Sequence, residues 1–314
     1  MLVDKLRWAT AGVTKQLPRR GFFRDNWRRL NRAFLKIGAP PTTEFRTKTG
    51  ILLRVDLQAK SQVDAYYTGV YEHESVKAVL ALYDGDGAFL DVGANIGFYS
   101  TIVADAIRRR GGAGKVICFE PFPGNVAWLR ANLASNSLEP YARIITHGLS
   151  DRRQTLSLVL REDFRDGADS GNASVAISEA MDAGFARVDV PLEALDDVWE
   201  SIGTDVPRID FVKVDIEGHE DAFFQGAART FASQRPAAMM EVNKTYFRAK
   251  QVDIDETLRP YLPPDYRIFR LDRKQGWCEA QTFAGCADFE NVFLIPSERL
   301  ELSRYRELLI GPEC

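Results

Sequence analysis

Short, uniformly apolar runs alternate along this chain with stretches in which apolar positions recur every three or four residues. The apolar runs at residues 88–90, 115–119, 142–146, 208–214 and 236–242 read as buried strands. The stretches at 98–104, 126–136 and 221–231 carry the helical period. Strands alternating with helices predict a mostly parallel sheet covered on both faces. Residues 44–57 suit a hairpin turning near Thr49-Gly50, after a break at Pro40-Pro41. A helix is expected to start at Tyr71-Glu-His-Glu74 and lead into the first core strand. Residues 148–195 are richer in Asp, Ser, Gly and Ala, with apolar runs at 155–160 and 187–190; they read as a β-rich insertion beside the site. A short helix over 255–261 closes at Pro263-Pro264, and the runs at 266–271 and 291–295 suit a terminal antiparallel pair. No internal repeat or low-complexity segment occurs.

The first strand runs into Asp91-Val-Gly-Ala-Asn-Ile-Gly97 and then into a helix. Glycines at 93 and 97 permit close backbone approach to a ligand, and the following helix aims its free amides at the same place. The next strand ends in Glu120, roughly 20 residues beyond the turn, where nucleotide-binding βαβ units place an acid for ribose hydroxyls. The dinucleotide fingerprint needs a middle glycine beside the pyrophosphate. Here that position is Asn95, so a phosphate-free adenosyl cofactor such as S-adenosylmethionine fits better than NAD. A later strand runs into Asp215-Ile-Glu-Gly-His-Glu220, which gathers three carboxylates at a strand end and a helix start. Acids at a helix start are favoured by its dipole, which gives Glu217 and Glu220 an ordinary structural explanation. Asp215 sits where open α/β sheets place ligands.

With these pieces in order, the sequence resembles the FkbM-type S-adenosylmethionine-dependent methyltransferases. The likeness rests on Asp91 to Gly97, Phe119-Glu-Pro121, Asn132-Leu and Asn136, Leu195-Asp-Asp197, Val212-Lys-Val-Asp-Ile-Glu-Gly-His-Glu220, Gly226-Ala and Met240-Glu-Val242, spanning roughly residues 65 to 245. One departure stands out: Pro191-Leu-Glu-Ala-Leu-Asp-Asp197 occupies the place where the family often has Thr-Leu-Asp. The resemblance implies a Rossmann-like methyltransferase fold, a mostly parallel seven-stranded sheet with an antiparallel terminal strand and helices on both faces. It implies a cofactor over the ends of the first, second and fourth strands, and methylation of a hydroxyl on a sugar or small metabolite. Two other readings stay open on the residues alone: a nicotinamide-dependent oxidoreductase, and a non-catalytic adenosyl-binding protein.

Asp91, Gly93, Ala94, Asn95 and Gly97 are expected along the methionine part of the cofactor, with Glu120 and Pro121 at the ribose. Ser150 and Asp151, just past the third strand, are candidates for the adenine amino group or plain turn formers. A hydroxyl acceptor must lose its proton as the new bond forms. Of the three histidines, His219 lies nearest the expected methyl and is the first candidate base. Asp215 is the alternative, as proton acceptor or as partner of the cofactor's amino group. Asp215, Glu217 and Glu241 are also oxygen ligands of the kind a divalent cation takes, and such a cation would acidify the hydroxyl instead.

Length changes little: 314 residues with 45% hydrophobic content support one large α/β core. Residues 44–314 are read as a single methyltransferase domain behind a basic helical arm, residues 1–43. The net charge of −3 predicts no nucleic-acid partner for the whole chain. No run of apolar residues approaches a membrane span, no apolar signal core starts the chain, and a cytoplasmic location is expected. Cys118, Cys278, Cys286 and Cys314 lack metal-type spacing and read as unpaired thiols. Charge is uneven, however. Residues 1–36 hold ten Lys and Arg against two Asp, a surplus of eight that leaves −11 for the remainder. Trp27, Leu30, Phe34 and Leu35 form one helical face there. Such a basic amphipathic segment suits either packing on the domain or peripheral contact with an anionic membrane.

Overall fold

The computed structural model of the chain describes residues 2–16, 21–161, 164, 167–168, 170–171, 173–176, 182–203, 206, 208–272 and 275–310, with backbone alone at 21–25. Arg19, Arg20 and Cys314 lie outside the described residues, as do the side chains of Phe22, Phe23 and Arg24.

Strands β1 (Thr42–Arg46) and β2 (Leu52–Asp56) pair antiparallel as the expected hairpin. The core sheet takes β3 (Ala88–Val92), β4 (Lys115–Phe119) and β5 (Ala142–Ile145). A second sheet takes β6 (Gly148–Ser150), β7 (Gln154–Leu160), β8 (Ala173–Val175) and β9 (Ala186–Ala194). The chain then returns to the core through β10 (Ile209–Val214), β11 (Ala237–Asn243), β12 (Tyr266–Asp272), β13 (Gly276–Ala280) and β14 (Phe289–Pro296). The core sheet is eight-stranded in the order β13-β12-β14-β11-β10-β3-β4-β5. Five strands from β11 to β5 run parallel, and β14, β12 and β13 add antiparallel ladders at one edge. The fold class is as expected, but the sheet has eight strands rather than seven. The extra strand, β13, is only half-buried, and its Gly-Trp-Cys-Glu-Ala sequence has no apolar pattern to announce it.

Strict alternation along the central strands feeds two cores. Phe89, Val116, Cys118, Phe211 and Met239 face one layer, while Leu90, Ile117, Phe119, Val212 and Met240 face the other. The first layer is closed by helices Lys60–Thr68, His73–Leu82, Phe98–Arg110 and Pro123–Ala134. The second is closed by Leu195–Ile202, Glu220–Gly226, Ala228–Gln234 and Ile254–Leu258. Phe89 stacks on its cross-strand partner Phe211 with centroids 5.4 Å apart, which ties the two central strands together on that face of the sheet.

The single helix expected over 221–231 is instead two, Glu220–Gly226 and Ala228–Gln234. Gly226 lies so close to the second sheet that a Cβ there would stand 1.9 Å from the Ser150 carbonyl oxygen. The helix therefore ends where backbone meets backbone. The basic arm folds as helices Leu2–Thr14 and Gly21–Lys36. For the face from Trp27 to Leu35 the packing alternative holds: Phe34 is buried, Leu30 is half-buried, and Trp27 stacks on Tyr67 at 6.0 Å. Among the described residues no helix is long and apolar enough to cross a membrane, and Cys118, Cys278 and Cys286 are unpaired.

The Gly226 contact leaves no room to relax without moving the helix off the second sheet. Gly226→Ala is expected to destabilise the protein by about 3 kcal/mol, the upper end for overpacking, measured as a loss in urea-unfolding free energy.

Candidate active site

The register of the parallel strands builds the site. Val92 pairs with both Phe119 and Val214, and Val214 pairs with Met240. The next residues along each strand, Gly93, Glu120, Asp215 and Glu241, therefore reach the same edge of the sheet. This edge is the switch point between β3 and β10, where strand order reverses and open α/β sheets bind ligands. A cavity of about 1740 Å³ opens there. Pockets for one small ligand run to roughly 1,000 Å³, so this one has room for a cofactor and an acceptor together.

Glu120 is buried at the cavity wall, 5% exposed. The Asn95 amide donates to its Oε2 at 2.8 Å and the Phe122 amide to its Oε1 at 2.9 Å. The left-handed backbone of Asn95, with φ of 51°, turns its amide toward this carboxylate. Burial pushes Glu120 up to about 7 despite these amides. A carboxylate oxygen accepts more than one hydrogen bond, so acceptor capacity remains for hydroxyl groups in the cavity.

Gly93 and Gly97 have φ of 78° and 91°. The space beside them is filled by protein: a Cβ at Gly93 would lie 2.0 Å from the Asp215 carbonyl oxygen, and one at Gly97 2.5 Å from Leu129 Cδ1. The glycines thus let strand ends and a helix close on each other, which differs from the ligand-clearance role expected for them.

Lys213 is buried on β10. Its Nζ donates to the Gly93 carbonyl at 2.9 Å and lies 3.2 Å from Asp215 Oδ2 and 3.4 Å from Asp91 Oδ1. Burial works against its charge, but Asp215, Asp91 and Glu72 together raise its pKa above the usual lysine value. It was not among the expected site residues, although a lysine inside an apolar strand run is itself a signal. Glu72, also missed, accepts from Tyr99 Oη at 2.8 Å and from Asn291 Nδ2 at 2.9 Å. It lines the cavity beside Tyr71, which stacks on Phe98 at 4.1 Å. No local pattern marks Glu72 for this place.

Asp215, Glu217 and Glu241 each offer an oxygen such that the three lie within 4.8 Å of one another, the set named as possible cation ligands. Tyr246 Oη donates to Glu217 Oε2 at 2.9 Å. Burial and the nearby Asp215 raise Glu217 to about 7 and Glu241 well above its ordinary value. His219 lines the cavity, and its Nε2 is 2.8 Å from Ser150 Oγ. Burial lowers its pKa, which keeps the imidazole neutral and able to take a proton near pH 7.

Of the expected residues, Gly93, Ala94, Asn95, Glu120, Pro121, Asp215, Glu217, His219 and Glu241 meet at the cavity wall. Asp91, Gly97, Ser150 and Asp151 do not line it. Asp91 is fully buried behind it, accepting from Ser100 Oγ at 2.5 Å. Ser150 is buried against Gln154 and His219, and Asp151 pairs with Arg152 at 2.5 Å. The second sheet adds Leu156, Leu158, Val175 and Leu192 to the wall, and the basic arm adds Trp27 and Arg28, the latter in a bidentate pair with Asp64.

A sequence profile of the methyltransferase FkbM domain matches residues 91–268, more than half of the chain. The chain belongs to the FkbM methyltransferase family. Among solved structures it is similar to methyltransferase FkbM from Methylobacillus flagellatus KT, at 16% identity and a TM-score of 0.41, over 75% of this chain and 52% of that chain. It is similar to M. jannaschii TYW2 in complex with AdoMet, at 13% identity and a TM-score of 0.43, over 82% of this chain and 85% of that one. Precorrin-6y C5,15-methyltransferase from Geobacter metallireducens GS-15 follows at 12% identity and a TM-score of 0.38, over 72% and 88% of the two chains. The family assignment rests on the profile match alone. A search among curated proteins found no match.

The buried carboxylates give the ligand-free protein a distinctive pH response. Glu120, Glu217 and Glu220 rise, chiefly through burial, from the ordinary 4.5 to about 7 on folding. Between those values the folded chain holds protons that the unfolded chain has lost, so stability falls as pH rises through this window. His219 contributes the opposite slope just below 6.5, but one imidazole stands against three carboxyls. Melting temperature without ligand should therefore be higher at pH 5 than at pH 8, and Glu120→Gln should flatten the difference.

Proposed function

We propose that this protein transfers a methyl group from S-adenosylmethionine to a hydroxyl of a sugar or small metabolite. The observation that carries the reading is Glu120: a buried carboxylate at the end of β4, each oxygen fixed by one backbone amide, at the wall of a two-ligand cavity. A ribose offers two adjacent hydroxyls, which is what such a carboxylate accepts. The turn Gly93-Ala-Asn95 would border the methionine part, with Pro121 beside the ribose. Asp91, Ser150 and Asp151 would act from behind the wall, by holding Lys213, His219 and each other.

S-adenosylmethionine supplies a methyl on a sulfonium that needs no further activation, so the protein's work is placement and proton removal. His219 would take the acceptor's proton, with Ser150 fixing the ring. Ser150 gives its hydroxyl hydrogen to Asp151, so Nε2 donates to Ser150 Oγ and Nδ1 is the nitrogen left to take the proton. Asp215 is the second candidate for that proton, though its Oδ2 is already engaged by Lys213 Nζ at 3.2 Å. Asp215, Glu217 and Glu241 would be the ligands if a divalent cation acidified the hydroxyl instead. The apolar side chains of the second sheet support an acceptor of partly apolar character on that side.

Two charge-assisted hydrogen bonds at about 1.5 kcal/mol each amount to roughly a hundredfold in affinity. Glu120→Ala should therefore weaken S-adenosylmethionine binding about 100-fold by calorimetry. Glu120→Gln keeps the side chain's shape but sets an NH2 against one of the two backbone amides, and should also lose at least about tenfold; unchanged affinity in both would remove the assignment. NAD should give no heat; tight NAD binding would revive the oxidoreductase alternative. His219→Gln should lower kcat about 100-fold with cofactor affinity intact. Activity that resists His219→Gln but is lost to a chelator would move the role to the carboxylate cluster. Release of demethylated cofactor on incubation with cell extract separates an enzyme from a passive binder.

A further inference from the structure

The first helix, Leu2–Thr14, is packed inside out. Arg7, Ala11 and Thr14, spaced at i, i+4 and i+7, face the protein and are buried. Polar contacts hold that stripe. Arg7 Nη1 donates to the Pro40 carbonyl at 2.7 Å, Arg7 Nη2 pairs with Asp4 at 2.6 Å, and Thr14 Oγ1 donates to the Tyr67 carbonyl at 2.7 Å. The outward stripe is Leu2, Leu6, Ala9 and Val13, one helical face by the same spacing. Leu2 is 82% exposed, Leu6 57% and Val13 63%, and Trp8 on the flank is 68% exposed. An apolar face of this extent on the surface marks an interaction site. It cannot roll inward without stripping a buried guanidinium of its partners.

Charge identifies the occupant. Lys5 is exposed beside the apolar stripe, and the neighbouring helix exposes Arg29, Arg32 and Lys36. Over residues 1–36 the chain carries a surplus of eight positive charges. An apolar stripe with an interfacial tryptophan and a basic surround suits a surface that is oily beneath and anionic on top. A protein groove would also take an apolar helical stripe, but it would not call for basic side chains exposed on both arm helices.

We propose that the first helix inserts its Leu2, Leu6 and Val13 face into the headgroup layer of an anionic lipid membrane. The two arm helices also give Thr14, Trp27 and Arg28 to the cavity wall, so lipid contact and the candidate site share the same support. Nothing in this step depends on methyl transfer.

The full chain is incubated with phosphatidylcholine vesicles, with and without phosphatidylglycerol, and sedimented. Wild type should partition onto the phosphatidylglycerol vesicles, more weakly onto phosphatidylcholine alone, and its Trp8 emission should shift to the blue, a change absent in Trp8→Phe. Leu6→Glu with Val13→Glu should reduce partition at least about tenfold while leaving the melting temperature in place, since both side chains point to solvent. Equal partition of wild type and the double variant would overturn the proposal. So would wild type that ignores vesicles but dimerises in sedimentation velocity in a way the double variant does not, which would assign the face to a second copy of the chain.

Discussion

The candidate site depends on one buried cation. Lys213 reaches from β10 to the end of β3 and holds the Gly93 carbonyl, Asp91 and Asp215 within 2.9 to 3.4 Å of its ammonium. Without it two adjacent carboxylates, both near the floor of a low-dielectric cavity, would repel each other across the switch point. Removing one partner from a buried set of this kind commonly costs about 3–5 kcal/mol, because the remaining charges stay desolvated. The left-handed Gly93 is part of the same device. Its missing Cβ is what allows the Asp215 carbonyl to come so near, and so lets the lysine bridge the two strand ends. Burial pushes Glu72, Glu217 and Glu241 toward neutrality, and the crowding of acid beyond that one cation adds to it.

Much of this was legible along the chain. The central strands are buried on both faces, so they appear as continuous apolar runs with sharp ends, and each end residue is a chemical one. Glu120 could be placed by its distance from the glycine turn, since βαβ geometry fixes that spacing. Asp215, Glu217 and Glu241 come together because the register of two parallel strands, β10 and β11, brings their ends level. Other features had no local signal. Strand β13 is half-buried at an edge, and Gly226 ends its helix because of a contact with Ser150, far away in sequence. Glu72 enters the site from a helix start ahead of the first core strand. Asp91 reads as a ligand residue by its motif, yet its carboxylate turns inward to Ser100 and Lys213. The inside-out first helix is visible only once its polar side is seen to be the buried one.

Burial decides the chemistry available at the wall. The same desolvation that raises Glu120 and Glu217 to about 7 lowers His219. A set of acids that hold protons more readily, beside a histidine that sheds its own, is poised for proton movement in the neutral range. Any group that enters the cavity and brings positive charge or hydroxyl donors changes that balance at once.

The second sheet leaves the core and rejoins it at the same spot. Gly148 pairs with Leu192 and Ser150 with Ala194, so the strand that opens the excursion lies beside the one that closes it. Segments whose two ends are neighbours can be lengthened, shortened or exchanged without straining the body that carries them. That excursion gives Leu156, Leu158, Val175 and Leu192 to the cavity wall, whereas Gly93, Glu120, Asp215 and Glu241 come from the ends of the parallel strands. Changes confined to that closed excursion would therefore reshape one side of the cavity while the strand-end residues keep their places.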